Sequence, residues 1–560
     1  MTDNKFHIGV EATLPDEDWW CTIYGRFLGA AFTPEIFQRA MHELGADFSL
    51  FYDSLAPRLP RGCERISEFC EGIGLDYLFN NTYGDIYGPW VPSTSRAEYT
   101  DAQLTRAAQS SHFLGIILDE VEHRQIHHYD CGDEGPYLAD VQGKTLPECY
   151  EAVLASLQAI AGRYREYGVQ TVAEMVFPVM AHVLAHAGGI PAPKFLSENF
   201  APVAFAICAG AALQYNVPLW IVHDFWSVEP FWAQIGADSM APGCSPETYR
   251  GHLLLSYWLG ADGTYTEALH NLISLRRLST EEHQVMTTHP IGHRGSLDLE
   301  WLQKKPFALN AYGKIHRWFT THYLPNHPRR YTFRDTRPRV AIIRFPDTLW
   351  QNHELASWGS KNGLYGPGGP AIQSQHLAWL DLWHILTHGV VPRSGLSLFC
   401  PPCNDWCDDI QRTREHPDDY AYREYLPFCP LDGVLVFDHR VGAEHLQTAE
   451  LIVLTGELVE PDTLQAALRC IERGVDGLAL PHLLPEHITR GWRRDPIEIQ
   501  YGQGRLLISD DFSHDAVKRF IQPHIGPSDR IRYTMGDTKL DIRPAEGYGG
   551  GFVLSTEGTV

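Results

Sequence analysis

Along the first 270 residues the hydrophobic and polar positions repeat one rhythm: a short apolar run, a carboxylate or amide at its end, a loop, then an amphipathic stretch of helical period. The clearest run is FLGIILDEVEH, Phe113 to His123. Phe113 to Leu118 are apolar or glycine, and Asp119 and Glu120 then arrive side by side. An unbroken apolar run of this length predicts a strand buried on both faces, as in a parallel sheet covered by helices. The same pattern predicts strands in FHIGVEA, ADFSLFYD, GLDYLFNNTYGD, VQTVAEMV, PKFLSEN, VPLWIVHDFW and ADGTYTEAL. Helical periods lie between them, as in PEIFQRAMHELG, a long stretch from Pro147 to Tyr167, APVAFAICAGAALQYN and TYRGHLLLSYWL. Eight strands alternating with helices fit a (β/α)₈ TIM barrel over residues 1–275. No GxGxxG turn follows the first strand, as a dinucleotide-binding open sheet would want.

Residues 276–337 are rich in His, Arg and aromatic side chains and read as a helical connection packed on the barrel. A second α/β rhythm opens at PRVAIIRFPDT and runs through GLSLF, DGVLVFD, AELIVLTGE and GLALP. It predicts a flavodoxin-like domain over 338–495. From 496 to 560 short strands separated by Gly, Asp and Pro predict a small β-rich domain.

Composition narrows the function classes. The 560 residues are 44% hydrophobic and 20% charged, so core material is ample. A formal net charge of −24 argues against nucleic acid or anionic membranes as partners. The start of the chain shows no signal-peptide pattern, no run is long enough to span a membrane, and twelve cysteines are scattered singly. These features predict a cytoplasmic protein.

The candidate chemistry lies at the predicted strand ends: Glu11, Asn80 and Asn81, Asp119 and Glu120, Glu174, Glu198, His223 and Asp224, and Glu267, with Asp53 weaker. Carboxyl ends of barrel strands are where α/β barrels keep their reactive groups. Aromatic residues sit beside them, among them Tyr83, Trp90, Trp226, Trp232 and Tyr265. Carboxylates for hydroxyl groups and aromatic faces for C–H surfaces suit a carbohydrate. Glycoside hydrolysis needs two carboxyl groups, one kept protonated and one ionised. We assign Glu120 as general acid, Asp224 or Glu198 as the second carboxylate, and Asp119 as an orienting group. Glu11, Asn80, Asn81, His123, Glu174, His223, Trp226 and Glu267 are assigned to substrate binding. This reading requires no cofactor and no metal. The reading outside hydrolysis is a sugar isomerase holding a divalent metal through Glu120, His123, Glu198, His223 and Asp224. Cys400, Cys403 and Cys407, in CPPCNDWC, form one isolated half of a zinc spacing.

Two segments carry a family likeness. TYRGHLLLSYWLGADGTYTEAL is similar to the seventh helix and eighth strand of the family 42 β-galactosidases, and AELIVLTGELVEPDTLQAALRCIERGVDGLALP is similar to the strand–helix–strand of their second domain. The layout resembles that family, whose barrel precedes a glutamine-amidotransferase-like domain used for assembly and a small β domain. The resemblance implies an exo-acting glycosidase and a homo-oligomer, a dimer or trimer. It maps the acid to Glu120, with Asp119 where the family has Asn, and the nucleophile position to Asp224, where the family has Glu. The Asp119–Glu120 pair also resembles substrate-assisted hexosaminidases. LDEVEH, Glu174 and IVHD loosely resemble the α-amylase strand motifs, in which Asp119 would be nucleophile, Glu174 acid and Asp224 stabiliser.

Overall fold

A computed structural model describes residues 5–12, 34–51, 62–81, 99–122, 125, 139–176, 178–196, 200–224, 245–267, 269–275, 307–346, 365, 369–370, 373–391 and 427–557. Eight parallel strands close into a barrel in simple sequence order. They are β1 His7–Ala12, β2 Phe48–Phe51, β3 Asp76–Asn81, β4 Phe113–Leu118, β5 Thr171–Met175, β6 Ile190–Phe195, β7 Trp220–Asp224 and β8 Gly263–Glu267. All eight strands expected from the pattern are present.

Strand alternation divides each strand between two cores. Phe48, Leu50, Leu78, Ile117, Val172, Ile190, Ala192, Trp220, Val222 and Tyr265 fill the barrel interior as one cluster. The residues between them, such as Phe51, Phe79, Ile116, Ala173, Phe195 and Ile221, pack outward under the helices. The β3–β4 register shifts between Tyr77 and Leu78. Opposite that shift Gly115 adopts φ +151°, with the Gln170 carbonyl 2.6 Å from where a Cβ would sit. Such an irregularity re-aims the residues that follow it, and beyond it Ile117 faces the interior.

The helices that cover the barrel carry their own start signals. In the helix Leu146–Glu166 the Glu148 carboxylate accepts the Thr145 backbone N–H at 2.8 Å, and Pro147 occupies the first turn. The helix Pro246–Trp258 begins on Ser245, whose hydroxyl accepts the Thr248 N–H at 3.1 Å. The helix Ala201–Tyr215 is apolar all round, and every residue from Ala201 to Ala212 is buried. It needs cover on both sides. The barrel supplies one side and the second domain supplies the other, where the Val436 carbonyl stands 1.8 Å from the position of a Cβ on Gly210.

That second domain has a six-stranded sheet in the order Val434–Phe437, Val340–Arg344, Leu451–Thr455, Asp476–Ala479, Gly504–Ile508, Ile497–Tyr501. The first five are mutually parallel and the last is antiparallel. Numbered by chain position, the parallel strands run 2-1-3-4-5, the flavodoxin-like order. The division expected at 496 is therefore displaced. Ile497–Tyr501 and Gly504–Ile508 form a hairpin that completes this sheet, and their turn residues fit an edge hairpin as well as a separate β domain. The third sheet is built on Ile531–Met535, Thr538–Pro544 and Phe552–Glu557, and it recruits Thr336–Arg337 and Leu431–Asp432 from far earlier in the chain. Among the described residues no helix is long and apolar enough to cross a membrane.

Candidate active site

One layer beyond the inner core, toward the carboxyl ends of the strands, alternation places a set of polar residues. On β1 it is Glu11, on β3 Asn80, on β4 Asp119, on β5 Glu174, on β6 Lys194, on β7 Asp224 and on β8 Glu267. Each lies two positions past a residue of the inner face, so the same period of two that builds the core delivers the site. Glu120, next to Asp119, ought to point the opposite way. It has φ +45°, a left-handed conformation that costs a non-glycine residue on the order of 1 kcal/mol or more. That turn at the strand end brings both neighbouring carboxylates to the barrel mouth.

Lys194 is the centre of the arrangement. Its Nζ lies 2.8 Å from Glu120, 3.3 Å from Glu174, 3.2 Å from Asp224 and 3.0 Å from Glu267. The lysine side chain is 2% exposed, Glu174 is 1% exposed and Asp224 is 8% exposed, while Glu120 and Glu267 are 24% and 21% exposed. The floor of the site is thus Lys194, Glu174 and Asp224, with Glu120 and Glu267 opening toward solvent. Beneath them Tyr265 donates its hydroxyl to Glu174, and Asp119 stands within electrostatic reach of the same carboxylate.

The electrostatics follow from burial and crowding. Desolvation pulls the lysine toward neutrality, but Glu120, Glu267, Asp224 and Glu174 together outweigh it and hold Lys194 well above its ordinary value. Asp119 is pushed well above the usual carboxylate range by burial and then by Glu174 and Glu120. Glu267 is pushed up in the same way by burial and Asp224, against the pull of Lys194. Burial raises Glu174 too, with Lys194, Tyr265 and Asp119 opposing it. Burial and the Lys194 charge thus act in opposite senses on the carboxyl groups of this layer, the kind of environment that tunes groups for acid–base chemistry.

The structure brings together Glu11, Asn80, Asp119, Glu120, Glu174, Asp224 and Glu267 from the residues picked out in the sequence. His223 is a correction. It alternates outward from β7, and its Nε2 lies 3.3 Å from the Ser256 hydroxyl, among Phe195, Tyr249 and His252 under the helix layer. It lines no part of the mouth. His123, Glu198, Trp226, the Asn81 side chain, and Asp53, Tyr83, Trp90 and Trp232 lie outside the described residues, as do Cys400, Cys403 and Cys407. β6 ends at Phe195, and the inward group at its end is Lys194.

Sequence reasoning missed Lys194. A signal for it exists: IPAPKF is otherwise apolar, and a lysine inside a fully buried strand requires charged partners. Asn80 also stands out. It is 1% exposed, Tyr99 donates to its backbone carbonyl at 2.8 Å, and among the described residues neither polar atom of its side chain has a hydrogen-bond partner.

No family model matches the sequence, and no curated protein matches it. Among solved structures the chain is similar to an exo-β-1,4-mannosidase from Opitutaceae bacterium strain TAV5, at 10% identity over 93% of this chain and 94% of that one, with a TM-score of 0.45. It is similar to Gan42B, a family 42 β-galactosidase, at 7% identity over 97% and 92%, with a TM-score of 0.44. A catalytic mutant of Gan42B from G. stearothermophilus gives 9% identity over 97% and 92%, with a TM-score of 0.41. At these identities and scores function has to be read from the site itself.

Proposed function

We propose that the protein is a glycoside hydrolase of the two-carboxylate kind. The observation that carries the reading is the meeting of Glu120, from the end of β4, and Asp224, from the end of β7, on one ammonium. Both carboxylates touch the same Lys194 Nζ, at 2.8 and 3.2 Å, so those two oxygens are no more than about 6 Å apart. Retaining glycosidases keep their carboxyl groups roughly 5–5.5 Å apart, and inverting ones roughly 6.5–9.5 Å. We take the shorter spacing for this pair, which makes the proposed enzyme a retaining one.

In this reading Glu120, the more exposed of the two, takes up a proton as the glycoside enters and gives it to the departing glycosidic oxygen. Asp224 attacks the anomeric carbon, the C–O bond to the leaving group breaks, and a covalent glycosyl-Asp224 ester forms. Glu120, now ionised, takes a proton from water, which attacks the anomeric carbon and releases Asp224. Asp119 supports the site from below through Glu174, and Glu11, Asn80 and Glu267 face the sugar. The substrate is a small neutral glycoside cleaved from its end, and the second domain serves assembly of a homo-oligomer. A metal-dependent isomerase gains no support, since His223 is turned away and an ammonium stands where the carboxylates converge.

A panel of nitrophenyl glycosides tests this with wild type and Glu120→Gln, each with and without EDTA. Cleavage of one sugar by wild type should survive EDTA and fall about 10²–10⁴-fold in the variant. Absence of cleavage across the panel, or activity abolished by EDTA, would overturn it.

A further inference from the structure

Carboxylates gathered at a barrel mouth usually need a cation, and here the chain brings its own. We infer that Lys194 is the resident cation of this site, taking the place a divalent metal would hold among the same oxygens and fixing Glu120, Asp224 and Glu267 for reaction. The inference rests on the reading of the site as a metal-free two-carboxylate centre and gives that reading its physical basis.

The geometry is that of an ammonium. Four carboxylate oxygens stand 2.8 to 3.3 Å from Nζ, the ion-pair distances of an ammonium. A metal would draw the same oxygens to roughly 2.0–2.6 Å. Three N–H groups serve four carboxylates, with Glu120 and Glu267 taking hydrogen bonds at 2.8 and 3.0 Å. The head group is also held in place. Its strand lies between β5 and β7 and is buried along its whole length. Pro191 and Pro193 flank Ala192 just before the lysine and fix the backbone there. Carboxylates converge on it from four strands: Glu174 from β5, Asp224 from β7, Glu267 from β8 and Glu120 from the end of β4.

Two consequences separate this role from simple packing. Lys194→Ala removes the ammonium and leaves its volume among the carboxylates, a setting that takes up a divalent cation. Lys194→Met fills the volume without charge, so protons must replace the cation. The carboxylates then hold raised pKa values, and stability present at low pH is lost as pH rises through them.

The experiment uses the full chain, with Mn²⁺ alone as probe, in calorimetric titration and thermal melts from pH 5 to 8. Wild type should show no Mn²⁺ binding at this site and a melting temperature indifferent to EDTA. Lys194→Ala should bind one Mn²⁺ at least about tenfold more tightly than wild type and melt higher when loaded. Lys194→Met should gain no metal and should lose melting temperature more steeply than wild type as pH rises. Should the alanine variant fail to fold, the methionine variant decides through its pH dependence. Wild type that binds Mn²⁺ and is stabilised by it would overturn the inference, as would variants with the metal response and pH dependence of wild type. None of these readouts uses a glycoside, so a wild type that cleaves no sugar would sink the hydrolase reading separately.

Discussion

Replacing Gly210 by alanine sets two effects of opposite sign against each other. Alanine in a helix interior is favoured over glycine by about 1 kcal/mol, which predicts a more stable protein. At Gly210, however, a Cβ would stand 1.8 Å from the Val436 carbonyl oxygen and 2.7 Å from its carbon. Ordinary contact begins at 3.4 Å, so the helix Ala201–Tyr215 and the strand Val434–Phe437 must separate by roughly 1.6 Å. Overpacking of this kind costs about 1–3 kcal/mol. The separation also stretches the bond between His182 Nε2 and the Val436 carbonyl at 2.9 Å, and the Asp438 N–H donated to Gln214 at 2.9 Å. Each is worth about 1 kcal/mol. The net expectation is a loss of about 2–4 kcal/mol. Gly162→Ala is the control, since Gly162 is helical and a Cβ there meets nothing within 4 Å. The assay is urea denaturation together with hydrogen exchange on the helix and strand. Gly210→Ala should lower stability and expose the amides of residues 201–215 and 434–437, and Gly162→Ala should raise stability slightly. If both variants are stabilised alike, the close packing of the two domains is wrong.

Further expectations concern the site and its surroundings. Asn80→Leu replaces a buried amide that has no side-chain partner among the described residues with an apolar side chain of similar size, so it should raise the melting temperature while lowering kcat/KM by roughly 10–100-fold; a variant that is less stable, or as active as wild type, would count against a substrate-facing amide. His252 and His316, buried behind β7 and β8, are both held down to about 3 by desolvation. Their folded values lie below the unfolded one, so the stability they lend is present above about pH 6.5 and is lost as pH falls toward 3. At pH 5 each costs about 2 kcal/mol relative to pH 8. His316→Gln should therefore flatten the acid limb of a stability–pH curve, and an unchanged slope would show that His316 does not hold its burial as drawn.

The barrel was legible because buried parallel strands write themselves as short apolar runs, and the strand-end carboxylates stood out against them. Glu11, Glu174, Asp224 and Glu267 could be placed by period-two counting alone. His223 could not be separated from Asp224 without knowing which face each strand turned inward, and one residue of phase reverses that answer. Glu120 breaks the period through a left-handed turn, which a sequence does not announce for a glutamate. Lys194 escaped notice because attention went to carboxylates, although their crowding in a dry site already called for a cation. The boundary at 496 failed for a local reason: the hairpin Ile497–Tyr501 and Gly504–Ile508 has the composition of an independent β unit, and only its pairing with Asp476–Ala479 assigns it to the larger sheet.

The helix Ala201–Tyr215, apolar on every side, also sets a timetable for the nascent chain. The strand that covers its outer face ends at Phe437, 170 residues after β8 completes the barrel at Glu267. At roughly 5–20 residues per second that is about 8–35 s of synthesis during which a finished barrel carries a bare hydrophobic stripe. The stripe is an invitation to chaperones or to a second nascent chain, and it makes the two domains obligate companions: the barrel buries this helix only once the ribosome has delivered its partner.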